Sequence, residues 1–178
     1  PRGGDAVYTN HGPYFIRSQN VQMNRIDLDG AACLPQSIHD SMARTKVESG
    51  DVVLNITGAS IGRVAHIGGL DREANVSQHV CVIRLIRNTA IPEYVSYFLS
   101  SPGSQNRILR VQTGASRQAL NHQQVRQLPL MLPPLEMQRE FAERVAEIRV
   151  LESKQSESAR ALDALFHSLL SRAFRGEL

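Results

Sequence analysis

The sequence lacks tryptophan, and aromatic residues make up only 5% of its 178 positions. A surface that stacks successive bases on aromatic rings, as many single-strand binders have, is therefore not expected. No run of 18 apolar residues occurs, and the longest apolar stretch, residues 128–135, is interrupted by three prolines. Nothing in the chain is thus predicted to span a membrane. A secretory signal pattern is also missing, and the start at Pro1 rather than Met suggests a fragment or a processed chain.

Cysteine is nearly absent as well. Cys33 and Cys81 lie 48 positions apart and form no Cys-x-x-Cys pair, so neither a disulfide framework nor a zinc site is predicted. We expect a reducing, cytoplasmic location, with both thiols buried as small apolar side chains. Apolar residues make up 42% and charged residues 21%, which is ordinary for a globular chain. At this length we expect one domain, or one domain with an appendage.

The sequence motifs of catalysis are also missing. There is no Gly-x-x-x-x-Gly-Lys-Ser/Thr phosphate loop, and the pair Gly58 and Gly62 lacks the rest of a dinucleotide fingerprint. Metal-dependent nucleases usually need clustered carboxylates together with a lysine. The only lysines are Lys46 and Lys154, and neither lies beside a suitable acidic pair. The six histidines form no His-x-x-x-His pair. We therefore predict a non-catalytic protein with no metal or cofactor of its own.

Arginine is the residue that the chain has in excess. Of the 20 basic residues 18 are Arg, and residues 74–130 contain six Arg against the single acid Glu93. Residues 1–130 carry a net charge of +4, whereas residues 131–178 carry −1. Guanidinium groups suit phosphates and guanine edges, although a GC-rich genome would also enrich arginine. A basic body with a charge-balanced tail is typical of a nucleic-acid reader with a protein-binding arm.

The tail is predicted to be one long helix. Pro133 and Pro134 end the preceding element, and neither Gly nor Pro occurs again before a stop at Gly176. A helix of about 40 residues would run about 60 Å, which is longer than a small body can cover. Its apolar residues follow a heptad spacing, interrupted at Gln155 and Ser158, so a partner helix is implied. The predicted helix–helix seam consists of Phe141, Ile148, Leu151, Leu162, Leu165 and Leu169.

The body is predicted to be mixed α/β. Stretches rich in β-branched and apolar residues predict strands at 14–16, 51–57, 63–67, 80–86 and 128–132. Helices are predicted from Pro92 to Ser100 and, after a cap at Ser101, from Pro102 to about Val111. Residues 18–49 show no consistent period and are predicted as loops with short strands.

Polar loops that contain Arg, Gln, Asn and Ser form the candidate site. Such side chains bond base edges and hold a backbone on phosphates, although each loop alone is compatible with an ordinary solvated turn. The loops are residues 17–20, 57–63, 77–79 and 112–121, and Thr-Gly-Ala-Ser occurs in two of them. The candidate DNA contacts are Arg17, Gln19, Asn20, Ser60, Arg63, Gln78, His79, Thr113, Ser116, Arg117, Gln118 and Asn121. Gly58, Gly62 and Gly114 are predicted to be structural, allowing close backbone approach or positive φ.

The segment Gly50 to Ala65, GDVVLNITGASIGRVA, resembles the central signature of target-recognition domains in specificity subunits of type I restriction–modification systems. Ordered matches continue along nearly the whole chain. They are Asn75-Val-Ser-Gln-His79, Pro92-Glu-Tyr-Val95, Thr113-Gly-Ala-Ser116 with Leu120-Asn121, Leu132-Pro-Pro-Leu-Glu-Met-Gln-Arg139 and Ala173-Phe-Arg-Gly-Glu-Leu178.

The resemblance implies a non-enzymatic reader of double-stranded DNA. Residues 1–133 would be an α/β (α+β) target-recognition domain with a mixed sheet, and an N-terminal strand would precede Pro1. Residues 134–178 would be a long coiled-coil-type helix for dimerisation and subunit docking. Modification (methyltransferase) subunits, and a restriction subunit, would be the partners, and a methyltransferase subunit would bind the methyl donor.

In the family that the chain resembles, a whole specificity subunit has two recognition domains, which read a bipartite site, and two long helices packed antiparallel. This chain has one such domain and one such helix. A homodimer through the helix is therefore expected, or a hetero-assembly in which a partner fills the seam. Base-contacting residues vary with the target in this family, so the contacts named above come from chemistry and loop position alone. Two alternatives stay open: a DNA-modifying or DNA-cutting enzyme, and an assembly module that ignores DNA. A salt titration identifies a reader, because its affinity falls linearly in log salt.

Overall fold

A computed structural model describes residues 7–111 and 119–177 of the chain. The strands are β1 (Thr9–Ile16), β2 (Val21–Gln22), β3 (Arg25–Ile26), β4 (Lys46–Val47), β5 (Val52–Asn55), β6 (Val64–His66), β7 (Ala74–Val76) and β8 (Val80–Ile83). The helices are α1 (Gln36–Ser41), α2 (Pro92–Ser100), α3 (Pro102–Val111), α4 (His122–Arg126) and α5 (Leu135–Phe174). The predicted α/β class with a long C-terminal helix is confirmed. The chain forms two compact units, Pro1–Gln138 and Arg139–Leu178.

The strands of the first unit form three small sheets. The order β6–β5–β8 is fully antiparallel, whereas in β1–β7–β4 the first pair is parallel and the second antiparallel. Strands β2 and β3 form a short antiparallel pair. The body is therefore mixed in strand direction as well as in composition.

Strand β5 lies between two hydrophobic clusters. Its four residues are all buried, and alternate side chains of a strand point to opposite faces. Val53 belongs to a cluster with Ile16 and Val76, whereas Val52 and Leu54 belong to a second cluster. Burial on both faces explains why this strand is a continuous apolar run rather than an alternating pattern.

Helices α2 and α3 cover the second cluster. Val95, Leu99 and Ile108 are buried there. The backbone N–H of Ser104 lies 3.4 Å from the hydroxyl of Ser101, the residue predicted as the cap. Both cysteines are buried and free, as expected.

Apart from shifted strand ends, four elements differ from the prediction, and the first is strand β7 (Ala74–Val76), which was not predicted. Residues 128–132 are not a strand: Pro129 has no N–H to donate, and Leu128 and Leu130 pack on the second cluster instead. Residues 18–49 contain the short helix α1, which was not predicted because the apolar residues there show no helical period. Helix α4 was not predicted, although Asn121 and Gln124 have the spacing of a capping box.

Helix α5 begins at Leu135 and ends at Phe174, close to both predicted limits. Its end is a Schellman motif: Gly176 has φ +72°, its N–H donates to Ala173 O at 3.0 Å, and Glu177 N–H donates to Arg172 O at 2.9 Å. Within the second unit Ile148, Leu151, Leu162, Leu165 and Leu169 are all exposed. In the part of the chain that is described, no helix is both long and apolar enough to cross a membrane.

Candidate nucleic-acid interface

The last residue of β5, Asn55, joins two of the predicted loops. Its side chain is fully buried, and its Nδ2 donates to Ser18 O at 2.8 Å and to Ser60 Oγ at 3.1 Å. Its backbone carbonyl accepts from Gly62 N–H at 2.9 Å, and its N–H donates to Arg63 O at 2.8 Å. One buried amide therefore holds the loop after β1 against the loop after β5.

The third predicted loop, which joins β7 to β8, attaches to the next two residues. Ile56 N–H donates to His79 O at 2.9 Å, and Thr57 Oγ1 lies 2.7 Å from His79 Nδ1. On the other side, Ser77 N–H donates to Ile16 O at 2.9 Å, at the end of β1. The side chains of Gln78 and His79 stay exposed at this edge.

The fourth predicted loop reaches the same edge through its described end. Leu120 N–H donates to Ile56 O at 2.8 Å, and Ala119 forms a bridge with Thr57. Asn121 follows as the N-cap of α4: its Oδ1 accepts from Gln124 N–H, and Gln124 Oε1 accepts from Asn121 N–H, both at 2.8 Å. We call residues 17–20, 55–63, 77–79 and 119–124 the loop cluster.

The predicted contact residues fall into three groups. Exposed or half-buried members of the loop cluster are Arg17, Gln19, Ser60, Arg63, Gln78, His79 and Asn121. Asn20 is only 4% exposed; its Oδ1 accepts from Arg17 N–H and its Nδ2 donates to Asp27 O, so it shapes the loop and is not placed to touch DNA. Thr113, Gly114, Ser116, Arg117 and Gln118 lie outside the described residues.

The two described glycines of the prediction have left-handed backbones. Gly58 has φ +75° and Gly62 has φ +89°. A Cβ on Gly62 would lie 2.6 Å from Gln105 Oε1, so this position also lacks room. Gln105 Nε2 donates to Gly62 O at 2.9 Å and to Leu99 O at 2.7 Å, which holds the loop against helix α3.

Sequence reasoning missed Asn55 and Gln105 as residues of the site, because neither is exposed and each acts by holding a loop in place. One signal was available for Asn55. A lone Asn that ends an otherwise apolar, β-branched strand needs a partner for its amide if it is buried. Gln105 carried no comparable signal on the polar face of α3.

Charge distinguishes the loop cluster from the rest of the surface. Its four stretches contain no Asp or Glu, whereas Arg17 and Arg63 lie among neutral polar side chains. The Nη1 of Arg63 donates to Gln22 Oε1, a neutral acceptor, at 3.1 Å. Loops without carboxylates of their own favour the approach of a polyanion, and the Asp27 carboxylate beside Asn20 is paired with Arg25 at 3.7 Å.

One Cys–His contact lies close to the cluster. His122 Nδ1 is 3.5 Å from Cys81 Sγ, but burial raises the pKa of the Cys81 thiol. A raised pKa disfavours the thiolate, which is the nucleophilic form of cysteine. Among residues 7–111 and 119–177, no group of three or more His, Cys, Asp or Glu side chains is arranged to hold a metal.

The chain is similar in sequence to known proteins of one kind. It is 27% identical over 171 residues to the "Type I restriction enzyme EcoBI specificity subunit" of Escherichia coli, a match that covers 94% of this chain and 36% of the relative. It is 26% identical to the "Type I restriction enzyme EcoKI specificity subunit" of Escherichia coli (strain K12), covering 94% of this chain and 38% of that protein. The chain thus spans little more than a third of the length of these relatives.

A solved structure has the same fold. It is the HsdS subunit from Thermoanaerobacter tengcongensis, with a TM-score of 0.55 and 24% identity over 84% of this chain and 40% of that one. The family model described as "Type I restriction modification DNA specificity domain" matches residues 34–167, three quarters of the chain. The chain therefore belongs to the family of type I restriction–modification DNA specificity domains.

Proposed function

We propose that this chain is the part of a type I restriction–modification specificity subunit that recognises a specific sequence in double-stranded DNA. The observation that carries the proposal is the convergence of predicted loops, far apart in sequence and without Asp or Glu of their own, at one edge around Asn55 and Thr57. A surface of this composition can position phosphates and read base edges through the same set of side chains.

Each class of side chain in the loop cluster has a defined task. Arg17 and Arg63 supply the guanidinium groups that bond phosphate or guanine, and the amides of Gln19 and Gln78 suit adenine edges. Ser60, His79 and Asn121 complete the described contact set, to which Thr113, Ser116, Arg117 and Gln118 belong by sequence. Gly58 and Gly62 supply the left-handed backbone that the loop after β5 requires, and Gly114 belongs to the set by sequence.

The proposed role is recognition and not chemistry. The chain directs modification (methyltransferase) subunits, and a restriction subunit, to the target, and a partner methyltransferase binds the methyl donor. A single recognition domain covers only part of a bipartite site. We therefore expect the isolated chain to bind with Kd of roughly 10⁻⁴–10⁻⁶ M at physiological salt, near the non-specific range.

A selection of bound duplexes from random DNA, with and without the modification subunit, tests the proposal. We expect a short consensus half-site, enriched more strongly when the modification subunit is present, because linked contacts add to affinity. Bound pools without any consensus in both arms would contradict sequence recognition. Methyl transfer or cleavage by the chain alone would contradict the non-catalytic role.

Helix α5 is proposed to pair with a second copy of itself. Five of its six seam residues stay exposed in the single chain, Leu162 at 66%, while Phe141 is half-buried, and an apolar stripe of this length is unfavourable in water. An antiparallel two-fold pairing would use one surface twice and place two recognition domains at opposite ends. Residues 1–133 would then read DNA, and residues 134–178 would assemble the complex.

Sedimentation of a paired set of variants tests the helix. Leu162→Glu with Leu169→Glu should make a dimer monomeric by placing charges in an apolar seam. The matched control, Ala164→Glu with Ser171→Glu, adds the same charges at the same spacing on the opposite face and should stay dimeric. A monomeric unmutated chain at high micromolar concentration would contradict the homodimer.

A further inference from the structure

Arg17, the first residue after β1, lies on an aromatic ring. Its guanidinium carbon is 5.3 Å from the centroid of the Tyr8 ring, which is within the range of a cation–π contact. The Tyr8 ring in turn lies 5.7 Å from the ring of Phe15, a core residue that is only 2% exposed. The guanidinium therefore rests on a support that is anchored in the hydrophobic interior.

The backbone of Arg17 is fixed as well. Its N–H donates to Asn20 Oδ1 at 3.0 Å, and its carbonyl accepts from Asn20 N–H at 2.9 Å. The buried Asn20 therefore closes a tight turn that aims the start of the Arg17 side chain. With the Cα end held by the turn and the guanidinium end stacked on Tyr8, few rotamers remain to be lost on binding.

The orientation of the guanidinium limits what it can bond. Arg17 Nε is buried and, within residues 7–111 and 119–177, has no hydrogen-bond partner. The side edge of the guanidinium, formed by Nε and one terminal nitrogen, is thus closed to a ligand. The two terminal nitrogens remain, and together they form a planar fork that matches the N7 and O6 acceptors of guanine.

We propose that Arg17 specifies one guanine of the target through this terminal fork, and that Tyr8 is the positioning residue that sets the plane of the fork. The inference rests on the proposed function, since it requires the loop cluster to face duplex DNA. Guanine presents its two acceptors in the plane of the base, so a bidentate contact needs a guanidinium held in that plane. A phosphate also accepts a bidentate fork but has no base plane to read, so only a base preference identifies the guanine contact.

The test compares base preference among five versions of the full chain. Random duplexes are selected with the unmutated chain, Tyr8→Leu, Tyr8→Phe, Arg17→Lys and the control Arg87→Ala, each with the modification subunit present. Arg87 is an exposed arginine that lines a recess beside Asp51, away from the loop cluster. Thermal melts of all variants check that the fold is kept.

We expect the unmutated chain, Tyr8→Phe and Arg87→Ala to select the same guanine, because a phenylalanine ring keeps the cation–π face. Tyr8→Leu should lower the discrimination at that one position by roughly tenfold and leave the other positions unchanged. Arg17→Lys should remove the preference at the same position while it keeps the charge and therefore the salt dependence.

Other results overturn the inference in distinguishable ways. Equal weakening on all sequences by Tyr8→Leu, with the guanine preference intact, would make Arg17 a phosphate contact and leave the proposed function standing. Arg17→Lys is expected to fold, so it gives a second test if Tyr8→Leu is unstable. If Arg17→Lys keeps the guanine preference, Arg17 does not read that base, and the proposed function still stands. Failure of the unmutated chain to select any sequence would overturn the proposed function itself.

Discussion

At its amino end, strand β5 follows Asp51, a buried carboxylate that accepts hydrogen bonds from Arg84 Nε at 2.8 Å and Arg84 Nη2 at 2.7 Å. At its carboxyl end, four residues away, the buried polar group is the neutral amide of Asn55. Glu48 adds a second carboxylate beside Arg84, at 3.2 Å from its Nη1. Both ends use buried hydrogen bonds to hold loops, but only the first uses charge.

The difference explains why arginine count alone does not locate an interface. Hydrogen bonding to Asp51, with the charges of Asp51 and Glu48, raises the pKa of Arg84, and the two carboxylates compensate its positive charge. Arg84 therefore has little to offer a phosphate. Among residues 7–111 and 119–177, Arg17 and Arg63 contact a tyrosine ring and an amide, and neither contact compensates their positive charge. The useful feature of the loop cluster is therefore the absence of acids as much as the presence of arginine.

Disrupting the Asp51–Arg84 ion pair, at the amino end of β5, should have the largest effect on stability. Asp51→Ala leaves Arg84 and the Glu48 N–H without their acceptor, and we expect a loss of about 3 kcal/mol, the low end for a broken buried pair because Arg84 is half exposed. Urea unfolding measures the loss, with Glu48→Gln as the control for an exposed acid. DNA affinity of the folded fraction should stay unchanged, and a large drop would show that the two ends are not separate.

Disrupting the side-chain hydrogen bonds of Asn55, at the carboxyl end of β5, should cost less stability but reduce DNA binding. Asn55→Ala removes the donor to Ser18 O and Ser60 Oγ, and we expect about 2 kcal/mol of destabilisation from the lost buried hydrogen bonds. Affinity for the selected half-site should fall by about tenfold, since two loops lose their fixed positions. Fluorescence anisotropy measures this fall at a temperature where the variant is folded. Full affinity in a folded Asn55→Ala chain would exclude Asn55 as the organiser of the cluster.

Adding a single methyl group at Gly62, near the carboxyl end of β5, should cause a smaller loss of stability. Gly62→Ala would place a Cβ against Gln105 and force a left-handed backbone on alanine, at about 1–2 kcal/mol. Gly68→Ala is the matched control, because a Cβ there meets no atom within 4 Å, and it should change stability by less than about 0.5 kcal/mol. Thermal denaturation compares the two. Equal stability of both variants would mean that the loop shifts freely at Gly62.

The smallest effect on stability is expected when a single positive charge, that of Arg63, is removed. Arg63→Gln should leave the fold within about 0.5 kcal/mol of the unmutated chain and reduce the slope of log affinity against log salt by about one unit, if Arg63 bonds a phosphate. Arg87→Gln makes the same change near the Asp51 end and should leave the slope unaltered. The comparison between the two ends would be contradicted if both variants lowered the slope equally.

Most of the elements could be predicted from the sequence, because the rules that form them act over a few residues. Helix α5 follows from a long segment without Gly or Pro and from a glycine at its end. Strand β5 follows from a short run of β-branched and apolar residues. The wrong strand at residues 128–132 has the same local composition, but Pro129 leaves it unable to pair fully, and its leucines pack on the core.

The loops that carry the candidate site were also recognised from their composition, yet their arrangement was decided only by the tertiary structure. Asn55 reaches Ser18 across 37 positions, and Thr57 reaches His79 across 22. Local patterns carry no information on such pairs, because they form only when separate strands meet in one sheet. The same packing buries Asn20 and places Tyr8 under Arg17. The sequence by itself thus determined the family, most of the elements and the chemistry of the loops, whereas long-range hydrogen bonds around a buried amide decided which side chains share a surface.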